Sequence, residues 1–130
     1  MKAFETGEFE KYKGEAKEKW GTTDAYREYR ERTGSYSQNK WNELAGGMNE
    51  LLAAFGECMK RGAGAESSEA QGLVKKLQDY ITDNYYHCTK EILADLGQMY
   101  VADARFKNNI DKNGAGTAAF ISAAIKTYCG

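Results

Sequence analysis

The sequence has no proline, a single histidine (His87) and no CxxC pair among its three cysteines. Each shortage removes a class of protein. Without proline the usual interior helix breaker is missing, so helix ends have to come from glycine and polar caps. One histidine leaves the familiar nucleophile–histidine–carboxylate arrangement with one possible base. His87 and Cys88 are sequence neighbours, so on a helix they point about 100° apart and do not readily share a metal. An odd count of cysteines (Cys58, Cys88, Cys129) indicates reduced thiols rather than a disulfide framework or a zinc site. An excess of one charge is lacking too: eighteen Lys plus Arg face nineteen Asp plus Glu, and residues 1–32 alone hold eight of each sign. A nucleic-acid binder usually shows a basic stripe, and none is present. The chain shows no signal-peptide pattern and no apolar run long enough to span a bilayer. It reads as a soluble, cytoplasmic protein with no membrane partner.

What is present points to helices. Ala, Glu, Lys, Leu and Gln recur at helical intervals over 130 residues, a length that suits one domain. Apolar positions Phe9, Tyr12, Ala16 and Trp20 form one narrow helical face, closed by Gly21. Thr22, Thr23 and Asp24 offer caps for a short helix carrying Ala25, Tyr26 and Tyr29. Ser37 then caps a long helix to about Arg61, striped by Trp41, Leu44, Met48, Leu51 or Leu52, Phe55 and Met59. Gly62-Ala-Gly-Ala is a break, and Ser68 with Gln71 reads as a capping box for a helix burying Ala70, Leu73, Val74, Leu77 and Ile81. The pattern shifts phase around Asn84-Tyr-Tyr-His, which predicts a kink or gap with His87 half-buried at a helix junction. A further helix presents Ile92, Leu96, Met99 and Tyr100, then runs into a polar turn anchored by Phe106 and Ile110. After Asn113-Gly-Ala-Gly, the last helix starts near Thr117 with Ile121, Ile125 and Tyr128 on one face.

The glycine pairs follow no strand and match no phosphate loop. No catalytic, metal or cofactor site is read from these residues. Nine tyrosines, with methionine, suit flat, apolar, weakly charged ligands. Two other readings stay open: a haem or small-cofactor protein using His87, and a helical protein–protein module.

Four blocks in order add a resemblance. EAKEKWGTTDAYREYRERTGSY, SSEAQGLVKKLQDYI, GQMYVADARFKNNID and AAIKTYC resemble the TipAS antibiotic-binding domain of TipA-like regulators of the MerR family, across almost the whole chain. The resemblance implies an all-α, compact orthogonal helical array of globin-like arrangement, a single domain over 1–130. It also implies capture of thiopeptide or other large heteroaromatic antibiotics, in a sensor that reaches DNA only through a winged helix-turn-helix and a coiled coil absent from this chain. The chain then reads as either a free-standing sequestering protein or the sensor cut from a longer regulator, and the resemblance of Met1-Lys-Ala-Phe4 to the start of the domain signature favours the second. In the best-known members a cysteine that attacks a dehydroalanine of the antibiotic precedes the Leu-Gly of the central block; here that place is Asp95. Cys88 matches a second family cysteine, and Leu77 stands where many members have histidine. The resemblance therefore implies non-covalent binding, in a cleft between the first two helices and the core. Its expected walls are Trp20, Tyr26, Tyr36, Met48, Phe55, Tyr86, Asp95, Met99, Tyr100 and Phe106, with residues 1–36 a mobile lid that tightens over ligand.

Overall fold

A computed structural model describes residues 24–130, and over them the chain is helical, with no strand among the described residues. The six helices are α1 (Asp24–Thr33), α2 (Gln38–Lys60), α3 (Ser68–Asn84), α4 (Lys90–Ala102), α5 (Ala104–Ile110) and α6 (Thr117–Cys129), with a short 3-10 turn at Asp111–Asn113. The first predicted helix, through Trp20 and Gly21, lies outside the described residues.

The ends of α2 follow the sequence closely. Ser37 accepts the Lys40 amide at its start. At its end the Gly62 amide reaches the Met59 carbonyl and the Ala63 amide the Cys58 carbonyl. That paired closure needs a left-handed residue, and Gly62 supplies it with φ 85°. Along α2, Leu44, Met48, Leu52, Phe55 and Cys58 are buried at three- and four-residue steps. From Met48 onward they meet the stripe Ala70, Leu73, Val74, Leu77 and Ile81 of α3 and the Ile121–Ile125 face of α6 in one core.

Three local expectations are corrected. The cap of α3 is Ser67, one residue earlier than predicted, accepting the Ala70 amide. Gln71 does not close a capping box; its amide donates to the carbonyls of Ala65 (2.8 Å) and Ala124 (3.0 Å), tying the α2–α3 loop to α6. The second correction is the buried face of α4, which is Leu93, Gly97 and Tyr100, while Ile92, Leu96 and Met99 are only partly buried. The reason is Gly97: a Cβ there would stand 3.1 Å from Ile125 Cγ2, so the missing side chain lets α4 and α6 approach. That pair of helices forms the most extensive packing of any among the described residues.

The third correction concerns the turn predicted after α4. Phe106 and Ile110 are buried anchors, as expected, but they ride on a helix, α5. Asp103 starts it by accepting the Arg105 amide (3.0 Å), and the Arg105 guanidinium closes on the same carboxylate at 2.7 Å. Asp111 repeats the device at longer range. Its carboxylate accepts the Ala118 amide (2.9 Å) and so fixes where α6 begins.

Candidate functional site

Between α3 and α4 the backbone leaves the helix for residues 85–89. The Tyr85 and Tyr86 amides both reach back to the Ile81 carbonyl, and Thr89 starts α4 by accepting the Ile92 amide. A helix end leaves carbonyls without partners, and here side chains from elsewhere in the chain supply them. Arg32 of α1 donates to the Thr82 carbonyl, and Tyr36 donates its hydroxyl to the Asn84 carbonyl at 2.5 Å. Glu28, paired with Arg32 at 3.1 Å, accepts the His87 amide at 3.0 Å. Helix α1 is thus fastened across the break by polar contacts at both of its edges.

Beneath those contacts lies a continuous series of rings. Tyr26 stacks on Tyr29 (centroids 5.9 Å apart), Tyr29 on Tyr85 (6.2 Å), and Tyr85 on Trp41 (6.2 Å). Trp41 then meets Tyr36 edge-on at 5.5 Å, and the Lys40 ammonium sits 5.6 Å from the Tyr36 ring centre. Tyr85 is the centre of the series. Burial pushes its phenol well above the ordinary value, with the nearby phenols of Tyr80, Tyr29, Tyr36 and Tyr100 adding to the rise. It stays neutral and presents an apolar face.

The expected wall residues divide into three groups. Tyr26 and Tyr36 stand at the two ends of the ring series, and Tyr86 lies half-buried in the break beside it. Met48, Phe55, Tyr100 and Phe106 belong to the core: Phe55 has no exposed surface, and Tyr100 packs on Phe106 at 6.0 Å. These four are core side chains with little or no surface open to solvent. Asp95 is exposed on α4, Met99 is half-buried, and Trp20 lies outside the described residues. His87, expected half-buried, is exposed, because the break turns it outward while its amide is held by Glu28.

Tyr29, Trp41 and Tyr85 were absent from the expected walls, and they form the middle of the series. Trp41 was assigned to the α2 core stripe, and Tyr29 to the narrow face of α1. Their signal is positional: Tyr29 lies three residues after Tyr26 on α1, Trp41 stands in the first turn of α2 shortly after Tyr36, and Tyr85 directly precedes Tyr86.

Half-buried, uncharged rings around a polar-fastened seam suit a flat heteroaromatic ligand, and they supply no nucleophile or base. Among the described residues no group of three or more His, Cys, Asp or Glu could hold a metal. No helix among them is long and apolar enough to cross a membrane.

Comparison with known proteins gives the same direction. Residues 12–128 match the TipAS antibiotic-recognition domain. The chain is 38% identical over 121 residues to the HTH-type transcriptional activator TipA of Streptomyces coelicolor, covering 92% of this chain and 48% of that protein. It is 33% identical over 102 residues to the HTH-type transcriptional activator mta of Bacillus subtilis, covering 78% of this chain and 39% of that one. The chain therefore spans less than half the length of these relatives. Among solved structures it superposes on Streptomyces lividans TipAS in complex with nosiheptide with a TM-score of 0.82 at 37% identity, covering 92% of this chain and 84% of that one. A second match is the antibiotic-binding domain of a TipA-class multidrug resistance transcriptional regulator, with a TM-score of 0.63 at 34% identity, covering 68% and 95%. The globin-like helical fold expected from the sequence is the one these structures share. With its fold, its four sequence blocks and its family match over residues 12–128 in agreement, the chain belongs to the TipAS antibiotic-recognition domain family.

Proposed function

We propose that this chain is the ligand-sensing part of a drug-responsive transcriptional regulator in the cytoplasm. It binds thiopeptide-like or other large heteroaromatic antibiotics without catalysis and without a covalent bond. The observation that carries the reading is the ring series from Tyr26 to Tyr36, seated in a chain that superposes on a nosiheptide-bound relative. Tyr26, Tyr29, Tyr36, Trp41, Tyr85 and Tyr86 give stacking faces, joined by Trp20 from the amino-terminal segment. Met99 adapts to shape, and the carboxylate of Asp95 holds a donor or cation at the rim. Met48, Phe55, Tyr100 and Phe106 hold the floor rigid. DNA contact belongs to a helix-turn-helix region beyond this chain, of the kind the relatives' names record.

Residues 1–36 act as the lid of this site within a single domain. The fastening of α1 over the 85–89 break supports that role, because it rests on surface hydrogen bonds and a half-buried ring contact rather than on the buried core.

Isothermal calorimetry of the chain against nosiheptide, other thiopeptides and unrelated heteroaromatic antibiotics tests the proposal. At least one binds near or below micromolar, about −8 kcal/mol. No heat across the panel would sink the sensor reading, and a haem absorption band in the purified protein would replace it.

A further inference from the structure

Two thiols point at successive carbonyls at the start of α4, Cys88 from the break that also carries Tyr85 and Tyr86, and Cys129 from the end of α6. Cys88, just before the cap residue, is buried, with its sulfur 3.8 Å from the Thr89 carbonyl. Cys129, the last residue of α6, directs its sulfur to the next carbonyl along, that of Lys90, at 3.3 Å. One side chain of α3 holds both segments in place. The Gln78 amide donates to the Cys88 carbonyl (2.8 Å), and its oxygen accepts the hydroxyl of Tyr128, the neighbour of Cys129 (2.8 Å). The Lys90 ammonium lies 5.3 Å from the Tyr128 ring centre and closes the cluster. Both cysteines are free thiols, and the ligand site uses neither. Cys58, the third, is buried in the α2 stripe and is held there by core packing.

We propose that Cys88 and Cys129 form an oxidation site that closes to an intramolecular disulfide when a peroxide is supplied. Cys129 is the half-exposed partner and reacts first. Its sulfur attacks one peroxide oxygen, the O–O bond breaks, and the products are a sulfenic acid and water. The Cys88 sulfur then attacks the Cys129 sulfur. The S–S bond forms as the S–O bond breaks, and the displaced hydroxyl leaves as water with the Cys88 proton. In balance, two thiols and one hydrogen peroxide give one disulfide and two waters. Burial pushes the Cys88 thiol up to about 12, with charge on Cys129 adding to the rise. Burial also raises Cys129, against the pull of Lys90. Both are mostly protonated at neutral pH, so the small thiolate fraction of the half-exposed Cys129 carries the peroxide step, and the reaction quickens as pH rises. Closure joins the end of α6 to the break that carries Tyr85 and Tyr86, so the modified protein differs from the reduced one at the base of α4.

The test oxidises the full chain with hydrogen peroxide, alkylates remaining thiols after denaturation, and maps tryptic peptides without reductant. The expected result is one alkylated thiol per chain, Cys58, with peptide 77–90 joined to peptide 127–130. The Cys129→Ser variant, changed at a half-exposed helix end, keeps its circular dichroism and leaves both remaining thiols alkylatable after the same treatment. Three alkylated thiols after peroxide would overturn the proposal. So would over-oxidation of Cys129 with Cys88 still free, or a dimer linked through Cys129.

Discussion

Trp41 and Tyr85 stack with centroids 6.2 Å apart and planes 26° from parallel, joining the first turn of α2 to the break between α3 and α4. Tyr85 is the middle ring of the series, so it is where loss of a ring hurts ligand binding most. Tyr85→Leu keeps apolar volume and removes the stacking face. It lowers thiopeptide affinity by about tenfold or more, the scale of one lost aromatic anchor. Calorimetry on a variant with unchanged circular dichroism measures it, and an affinity equal to the parent's shows that the ligand sits elsewhere.

Lid behaviour has its own readout. Amides of residues 1–36 exchange fast in free protein and slow on ligand addition, while the stretch from Trp41 to Met59 is protected in both states. Tyr36→Phe removes only the hydroxyl that reaches Asn84, and it speeds α1 exchange at a cost of about 1 kcal/mol. Equal, strong protection of both regions without ligand means that α1 is part of the fixed core.

Asp95 is exposed and carries a carboxylate, a poor nucleophile towards a dehydroalanine. Incubation with a dehydroalanine-containing thiopeptide therefore leaves the intact mass of the protein unchanged after denaturation. Cys88, buried and held protonated, does not substitute for the missing thiol. A stoichiometric adduct on Cys88 contradicts this.

Gly97→Val places two methyl groups where Ile125 already stands 3.1 Å from the Cβ position. Overpacking of this kind costs about 1–3 kcal/mol, seen as a lower urea midpoint. Adding Ile125→Ala to Gly97→Val costs less than the sum of the two single changes, because each relieves the other. Strict additivity indicates that the helices move apart instead.

Stability falls at both ends of the pH scale. The Arg105 hydrogen bonds hold the Asp103 carboxyl below its ordinary value of 3.8. Burial works against the charge of Asp111, yet the Ala118 amide, Lys107 and the Gly116 amide outweigh it and lower it as well. A lowered folded value means stability present above pH 3.8 and lost as pH drops through the folded values. Asp111→Asn flattens that acid limb. Cys88 behaves oppositely: raised from 9.0 to about 12, it contributes stability that is full below pH 9 and lost as pH climbs towards 12. Denaturant midpoints measured from pH 2 to 11 check both limbs, and an Asp111→Asn curve that overlays the parent's at low pH refutes the first.

Helix existence was legible because period and caps agree: the Ser37 cap, the end of α2 near Arg61, its buried Leu44, Met48, Leu52 and Phe55, and the stripe of α3 stand as read, while Trp41 and Met59 are only partly buried. The face of α4 was not legible, since a glycine reads as a gap in an apolar pattern, yet here it is the point of closest helix approach. Residues 104–110 read as a turn because their apolar residues are only two, and the helix depends on an Asp103 carboxylate whose capping role needs the preceding break. At the site, single residues carried the signal for Tyr26, Tyr36 and Tyr86. Trp41 and Tyr85 were hidden because their partners lie more than forty residues away, and a stack between helix ends leaves no period in the sequence.

The same stack makes the domain its own optical probe. Of the two tryptophans in the chain, Trp41 is half-buried between Tyr85 and Tyr36. A Trp20→Phe variant leaves all indole emission arising from that one position. A ligand that inserts beside Tyr85, or a lid that shifts Tyr36, changes the polarity around the indole and the energy passed to it from neighbouring tyrosines. Occupancy is then read from the colour and intensity of one residue, in solution and without a label.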